Sequence, residues 1–150
     1  VKCWGKNDVG QLGNGITANS LTATAVAGFS SGPFTGVLED VVSISAGPMQ
    51  TSAVLSDGTA KRWGYDYVLG TSSVPATLFG LDGVVSISPG GPAGGATQNH
   101  SCALLSDCTA KCWGYNFNGQ LGNEETENNS TPGTGSGLKD AFSVVSAAGD

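Results

Sequence analysis

The sequence predicts an all-β protein assembled from repeated four-stranded antiparallel blades of β-propeller type. Three observations predict it. A tryptophan–glycine landmark recurs as Trp4-Gly5, Trp63-Gly64 and Trp113-Gly114, at spacings of 59 and 50 residues. A β-branched run recurs as Val41-Val-Ser-Ile-Ser45 and Val84-Val-Ser-Ile-Ser88, with a weaker copy at Val144-Val-Ser-Ala-Ala148. Gly10-Gln-Leu-Gly13 returns as Gly119-Gln-Leu-Gly122, while the middle copy keeps only Val68-Leu-Gly70. Self-similarity at a period of tens of residues marks a propeller, solenoid or array. One four-stranded blade per period of about fifty residues fits that signature.

Each repeat is expected to contain four short strands. The first is the Val-Val-Ser-Ile-Ser run, whose alternation suits a strand buried between blades. The second and third form a hairpin, Cys102 to Leu105 and Thr109 to Trp113, around Ser106-Asp107-Cys108. Its counterpart turns at Asp57-Gly58, a strong hairpin signal. The fourth strand lies near Ala23 to Val26 and near Val74 to Leu78. Pro75 makes the latter an edge strand, because proline cannot donate to a ladder. Long polar loops are expected after the Gly-Leu-Gly landmarks, such as Asn123 to Ser136. No segment has helical periodicity. Repeat segments fall at roughly 1–40, 41–83 and 84–143, with 144–150 starting a further blade of one partial propeller domain. About three repeats make an incomplete ring, so the chain is expected to be a piece of a larger propeller or blade array.

With 150 residues the chain has the length of one domain with a single core. Charged residues make up only 12%, and 6 Lys plus Arg against 12 Asp plus Glu give a net charge of −6. The cations Lys2, Lys6, Lys61, Arg62, Lys111 and Lys139 are scattered. A nucleic-acid binder needs them gathered into a stripe, so no nucleic-acid partner is expected. No apolar run approaches the length of a membrane span.

The hairpin brings two cysteines together. A three-residue loop pairs Leu105 with Thr109, and stepping outward sets Cys102 opposite Cys112. At such a non-hydrogen-bonded pair the α-carbons lie roughly 4.5 Å apart, inside the range of about 4.4–6.8 Å a disulfide requires. The middle repeat has Ser52 and Arg62 there, so both cysteines are absent together, as a bonded pair predicts. We therefore expect a Cys102–Cys112 disulfide and an oxidising compartment. The alternative is a pair of small buried hydrophobes in a reducing one. Cys3 is equivalent to Cys112. Cys108 stands where the other hairpin has Gly58, and a non-glycine residue in the left-handed conformation is strained. Four cysteines and one histidine lack the paired short spacings of a zinc site, and His100 aligns with Gln50. Neither a metal nor a cofactor is expected.

Several stretches together resemble the regulator of chromosome condensation repeats, and most closely their secreted, cysteine-containing versions such as the beta-lactamase inhibitory type. They are Val1-Lys-Cys-Trp-Gly-Lys-Asn-Asp-Val-Gly-Gln-Leu-Gly-Asn-Gly15, Val41-Val-Ser-Ile-Ser-Ala-Gly47, His100-Ser-Cys-Ala-Leu-Leu-Ser-Asp107 and Lys111-Cys-Trp-Gly-Tyr-Asn-Phe-Asn-Gly-Gln-Leu-Gly-Asn123. The resemblance implies a propeller, usually of seven four-stranded blades in that family. It also implies that the glycines and tryptophans serve packing.

Fold alone does not assign function. The reading we favour is a non-enzymatic extracellular or cell-surface module, structural or protein-binding, within a larger secreted or surface assembly, a filament being one form of it. Its partners would be other proteins or further copies of the same repeat protein. Asn99, Asn128 and Asn129 open glycosylation sequons if the source is a eukaryote. Tyr65, Tyr67, Tyr115 and Phe117 follow the Trp-Gly landmarks. They are either anchors on a loop face or packing beneath it. Two alternatives stand beside this reading, a guanine nucleotide exchange propeller acting on a small GTPase and a secreted protein inhibitor. An enzyme is not expected. Glu39-Asp40 and Glu124-Glu125 read as solvated loop charge, and Gly90-Gly-Pro-Ala-Gly-Gly95 lacks the lysine and helix of a phosphate loop.

Overall fold

The structure is a computed structural model in which residues 1–28, 36–92, 98–134 and 140–146 are described. Strands β1 (Lys2–Gly5) and β2 (Ser20–Ala25) pair antiparallel as the outer half of a first blade. A minimal ladder of β3 (Ala27–Gly28) and β4 (Gly36–Val37) follows. The second blade contains β5 (Val41–Ala46), β6 (Gln50–Leu55), β7 (Ala60–Asp66) and β8 (Gly70–Leu78), in that spatial order. The third contains β9 (Val84–Gly90), β10 (His100–Leu105), β11 (Ala110–Gly114) and β12 (Asn129–Thr134), again in chain order. All pairings are antiparallel, both four-stranded sheets are open, and the described residues contain no helix.

Both hairpins have the register expected from a three-residue loop. Leu55 N–H donates to Thr59 O and Leu105 N–H to Thr109 O, each at 2.9 Å. From there Cys102 pairs with Cys112, and Ser52 with Arg62. Asp57 and Asp107 brace these turns by accepting from the backbone N–H and the hydroxyl of Thr59 and Thr109. Those bonds hold both carboxyls below the ordinary aspartate range. Gly58 has φ 80° and Cys108 φ 63°, so a cysteine occupies the left-handed position that glycine fills in the other hairpin.

The core lies between blades. One apolar cluster joins Val54, Ala60, Leu78 and Leu81 to Val84, Ile87, Ala103, Leu105 and Trp113. A second joins Val26 and Leu38 to Ala53 and Trp63. Each buried tryptophan thus packs on residues of the blade before it, and Trp63 and Trp113 are 0% and 1% exposed. Trp4, at the same repeat position, has no such neighbour among the described residues and is 67% exposed.

Three sequence expectations are corrected. The polar stretch Asn123 to Ser136, read as loop, contains β12, the fourth strand of its blade. Its Asn-Ser-Thr-Pro-Gly-Thr composition is poor for a central strand. An edge strand pairs on one side only and tolerates proline and glycine, and β12 reaches its register with β11 through a bulge. The run at Val144 forms no strand within the described residues 140–146. Ser146 does bond to Ser88 through its backbone N–H and its hydroxyl. A strand also needs a ladder partner, which in the two complete blades is the second strand, and none pairs with this run among the described residues. Finally, β5 is not wholly buried, with Val42 65% and Ile44 46% exposed. Among the described residues, the blade before it contributes the two strands β1 and β2.

Candidate protein-interaction face

One end of the blades carries the loops from first to second and from third to fourth strands. Its conformation is set by the residue three positions after each landmark tryptophan. Asn7 and Asn116 are both 0% exposed. Asn116 Nδ2 donates to the carbonyls of Glu125 and Glu127 at 2.9 and 3.1 Å and to Asn123 Oδ1 at 3.1 Å. Its Oδ1 accepts from Leu121 N–H at 2.8 Å, and its own N–H donates to Asn128 Oδ1. Asn7 repeats the set with Ile16 O, Ala18 O, Asn14 Oδ1, Leu12 N–H and Asn19 Oδ1. One carboxamide supplies two donors and an acceptor, enough to wind a long loop about itself.

The second blade has Asp66 at this position, and a carboxylate only accepts. Asp66 Oδ1 takes the N–H groups of Val68 and Leu69, and Oδ2 takes Gln50 Nε2 at 2.8 Å. With no donor to hold loop carbonyls, the connection shrinks to residues 67–69, against 6–19 and 115–128 in the other blades. In the first blade a Cβ on Gly13 would stand 2.8 Å from the Trp63 ring. That loop element is missing over Trp113, where a cavity of about 260 Å³ lies between Arg62, Leu69, Leu78, Phe79 and Trp113.

The short turn lets the aromatic residues of two blades meet. Tyr67 and Tyr115 stack edge to face with centroids 5.6 Å apart, and Tyr115 and Phe117 do so at 5.1 Å. Tyr115 is buried and Phe117 is 62% exposed, so the ladder rises from between the blades to the surface. Asn128 Nδ2 donates to the Tyr67 hydroxyl at 3.0 Å, tying the long loop to the short turn. Further bonds fix the blades beneath it: Ser101 Oγ donates to Gln50 Oε1 at 2.9 Å, and Thr51 Oγ1 to Gln11 O at 2.9 Å. A rigid base under exposed aromatic area is what a binding anchor needs.

Of the four aromatic residues singled out in the sequence, three are brought together. Tyr65 stands apart and half-buried, its carbonyl accepting from Asn99 Nδ2 at 3.3 Å. Asn99 itself is only 5% exposed, whereas Asn128 is exposed and Asn129 half-buried. A disulfide joins Cys102 to Cys112, with α-carbons 4.1 Å apart, and packs with Leu121 and Val144. In the middle blade Arg62 replaces it, its two terminal nitrogens donating to Leu69 O and Gly70 O. Cys3 is a half-buried free thiol whose pKa burial raises, and Cys108 is free and exposed. Among the described residues no group of three or more His, Cys, Asp or Glu side chains is placed to hold a metal, and no helix is long and apolar enough to cross a membrane. Residues 93–95 of the glycine-rich stretch Gly90–Gly95 lie outside the described residues. Sequence reasoning missed Asn7, Asn116 and Asp66, although the pattern Trp-Gly-x-Asn or Trp-Gly-x-Asp was there to be read.

Comparison with known proteins agrees with this architecture. Residues 3–54 match the model of the regulator of chromosome condensation (RCC1) repeat. No curated protein matches the chain. Among solved structures it is similar to Prp20p from Saccharomyces cerevisiae, with a TM-score of 0.65 at 19% identity over 89% of this chain. It is also similar to human WBSCR16, with a TM-score of 0.60 at 17% identity over 98%. The chain spans 33% of the first and 50% of the second. Residues 3–54 match that repeat, and two complete blades carry the same landmarks on one register, so the chain is similar to RCC1-type repeats and has the fold of these propellers.

Proposed function

We propose that the chain is a non-enzymatic protein-interaction module, part of a larger propeller, which docks partners through the Tyr67–Tyr115–Phe117 face. The observation that carries this reading is Phe117, 62% exposed on a ladder whose middle ring is buried and whose foot is held by Asn128. Aromatic side chains are enriched at the cores of protein interfaces, and a rigid support lowers the cost of binding. The Cys102–Cys112 disulfide supports a place outside the cell or on its surface. Exposed Asn128 and half-buried Asn129 are the sequon positions open to glycans. A second reading, regulation of a small GTPase, draws on the fold likeness to Prp20p, a protein described with its binding to Gsp1p and histones.

Photo-crosslinking tests the face. A photoreactive phenylalanine analogue is placed at Phe117 or, as control, at Phe79, which is 81% exposed elsewhere. Each protein is then exposed to the secretions and extracts of its source. The reading predicts a discrete crosslinked protein from position 117 and none from 79. The same products from both positions would defeat it.

A further inference from the structure

The face has a charge as well as a shape. The loop that presents Phe117 also carries Glu124, Glu125 and Glu127, all exposed. The Asn116 carboxamide holds the backbones of Glu125 and Glu127 against the residue next to Phe117. Two of these residues are therefore fixed at their backbones, and the Glu125 carboxylate accepts from Asn123 Nδ2 at 3.2 Å. Among the described residues none of the three has a cationic partner, the ion pair present being Lys6–Asp8 on the first blade. Arg62 caps the Leu69 and Gly70 carbonyls, while Lys111 and Lys61 bond toward the other end of the blades, to Gly80 O and Thr77 Oγ1.

We infer that this face takes an extended, arginine- or lysine-rich segment of a partner protein, with a cationic side chain over Phe117 and others against Glu124, Glu125 and Glu127. The inference rests on the proposed binding role of the face and adds the chemistry of the partner. An aromatic ring attracts a cation through its quadrupole, and carboxylates beside it add steering. Uncompensated negative charge on the loop is unfavourable in the free protein and complementary in such a complex.

Fluorescence anisotropy of the full chain with labelled hepta-arginine, against a labelled Gly/Ser peptide, tests it. Binding of hepta-arginine alone is expected, weakening as salt is raised. Phe117→Ala should weaken it about two- to fivefold, and Glu124→Gln/Glu125→Gln/Glu127→Gln about tenfold at low salt. Glu39→Gln/Asp40→Asn/Asp82→Asn removes three exposed charges from the opposite end of the blades and should change affinity less than about twofold. All these side chains are exposed, so the variants should keep the parent's circular dichroism and unfolding midpoint. No binding of hepta-arginine, or equal losses in both triple variants, would overturn the inference. If Phe117 still crosslinks a partner while hepta-arginine fails to bind, the face stands and its cationic specificity falls.

Discussion

Asn116 and Asp66 differ by one amide nitrogen, and that atom decides loop length. Asn116 holds two loop carbonyls that Asp66 has no proton to hold. Asn116→Asp keeps the shape and the bond from Leu121 N–H but strands the Glu125 and Glu127 carbonyls. It should lower stability by about 2–3 kcal/mol in urea unfolding and disorder Phe117 without disturbing the hairpins. His100 offers a second test at this scale. Burial depresses its pKa, so the folded state disfavours the imidazolium. The unfolded chain then binds more protons below its ordinary value near 6.5. The contribution of neutral His100 is complete above that value and is lost as pH falls through it. His100→Gln, the residue found at the equivalent Gln50, should flatten stability against pH between about 7 and 5, a range above the titration of ordinary carboxylates. An unchanged slope would mean that the imidazole is solvated.

At the scale of elements, the hairpin is where sequence reasoning worked best. A three-residue turn and an alternating pair of strands leave one register, and the register brings Cys102 to Cys112. Removing that crosslink as Cys102→Ser/Cys112→Ser should cost about 2–3 kcal/mol, measured as the drop in unfolding free energy relative to the parent. The turn itself holds a strained residue. Cys108→Gly restores the residue type of the sister turn and should stabilise the protein by about 1 kcal/mol. A lower unfolding midpoint in that variant would show that the cysteine is held by something other than its backbone. Elements whose identity depends on neighbours were less legible. β12 has the composition of a loop and becomes a strand because β11 offers it an edge. Val144 to Ser146 has the composition of a strand and forms none, because nothing pairs with it among the described residues.

For the whole molecule, the repeat landmarks made the architecture readable, since tryptophan and glycine recur wherever one blade meets the next. The proposed binding face was half readable. Tyr67, Tyr115 and Phe117 stood out as aromatic residues after the second and third landmarks, but their stacking depends on the short 67–69 turn of one blade meeting the long loop of another. No local pattern encodes that meeting. What the repeats do encode is that Trp63 and Trp113 are each buried by the blade before them, which makes stability a property of blade pairs. The most direct test compares urea unfolding of Trp113→Ala with Trp4→Ala, two identical changes at equivalent repeat positions. Trp113 lies between two described blades and should cost about 3–5 kcal/mol, whereas exposed Trp4 should cost less than about 0.5 kcal/mol. Equal losses at the two positions would contradict blade-on-blade packing as the organising principle of this chain.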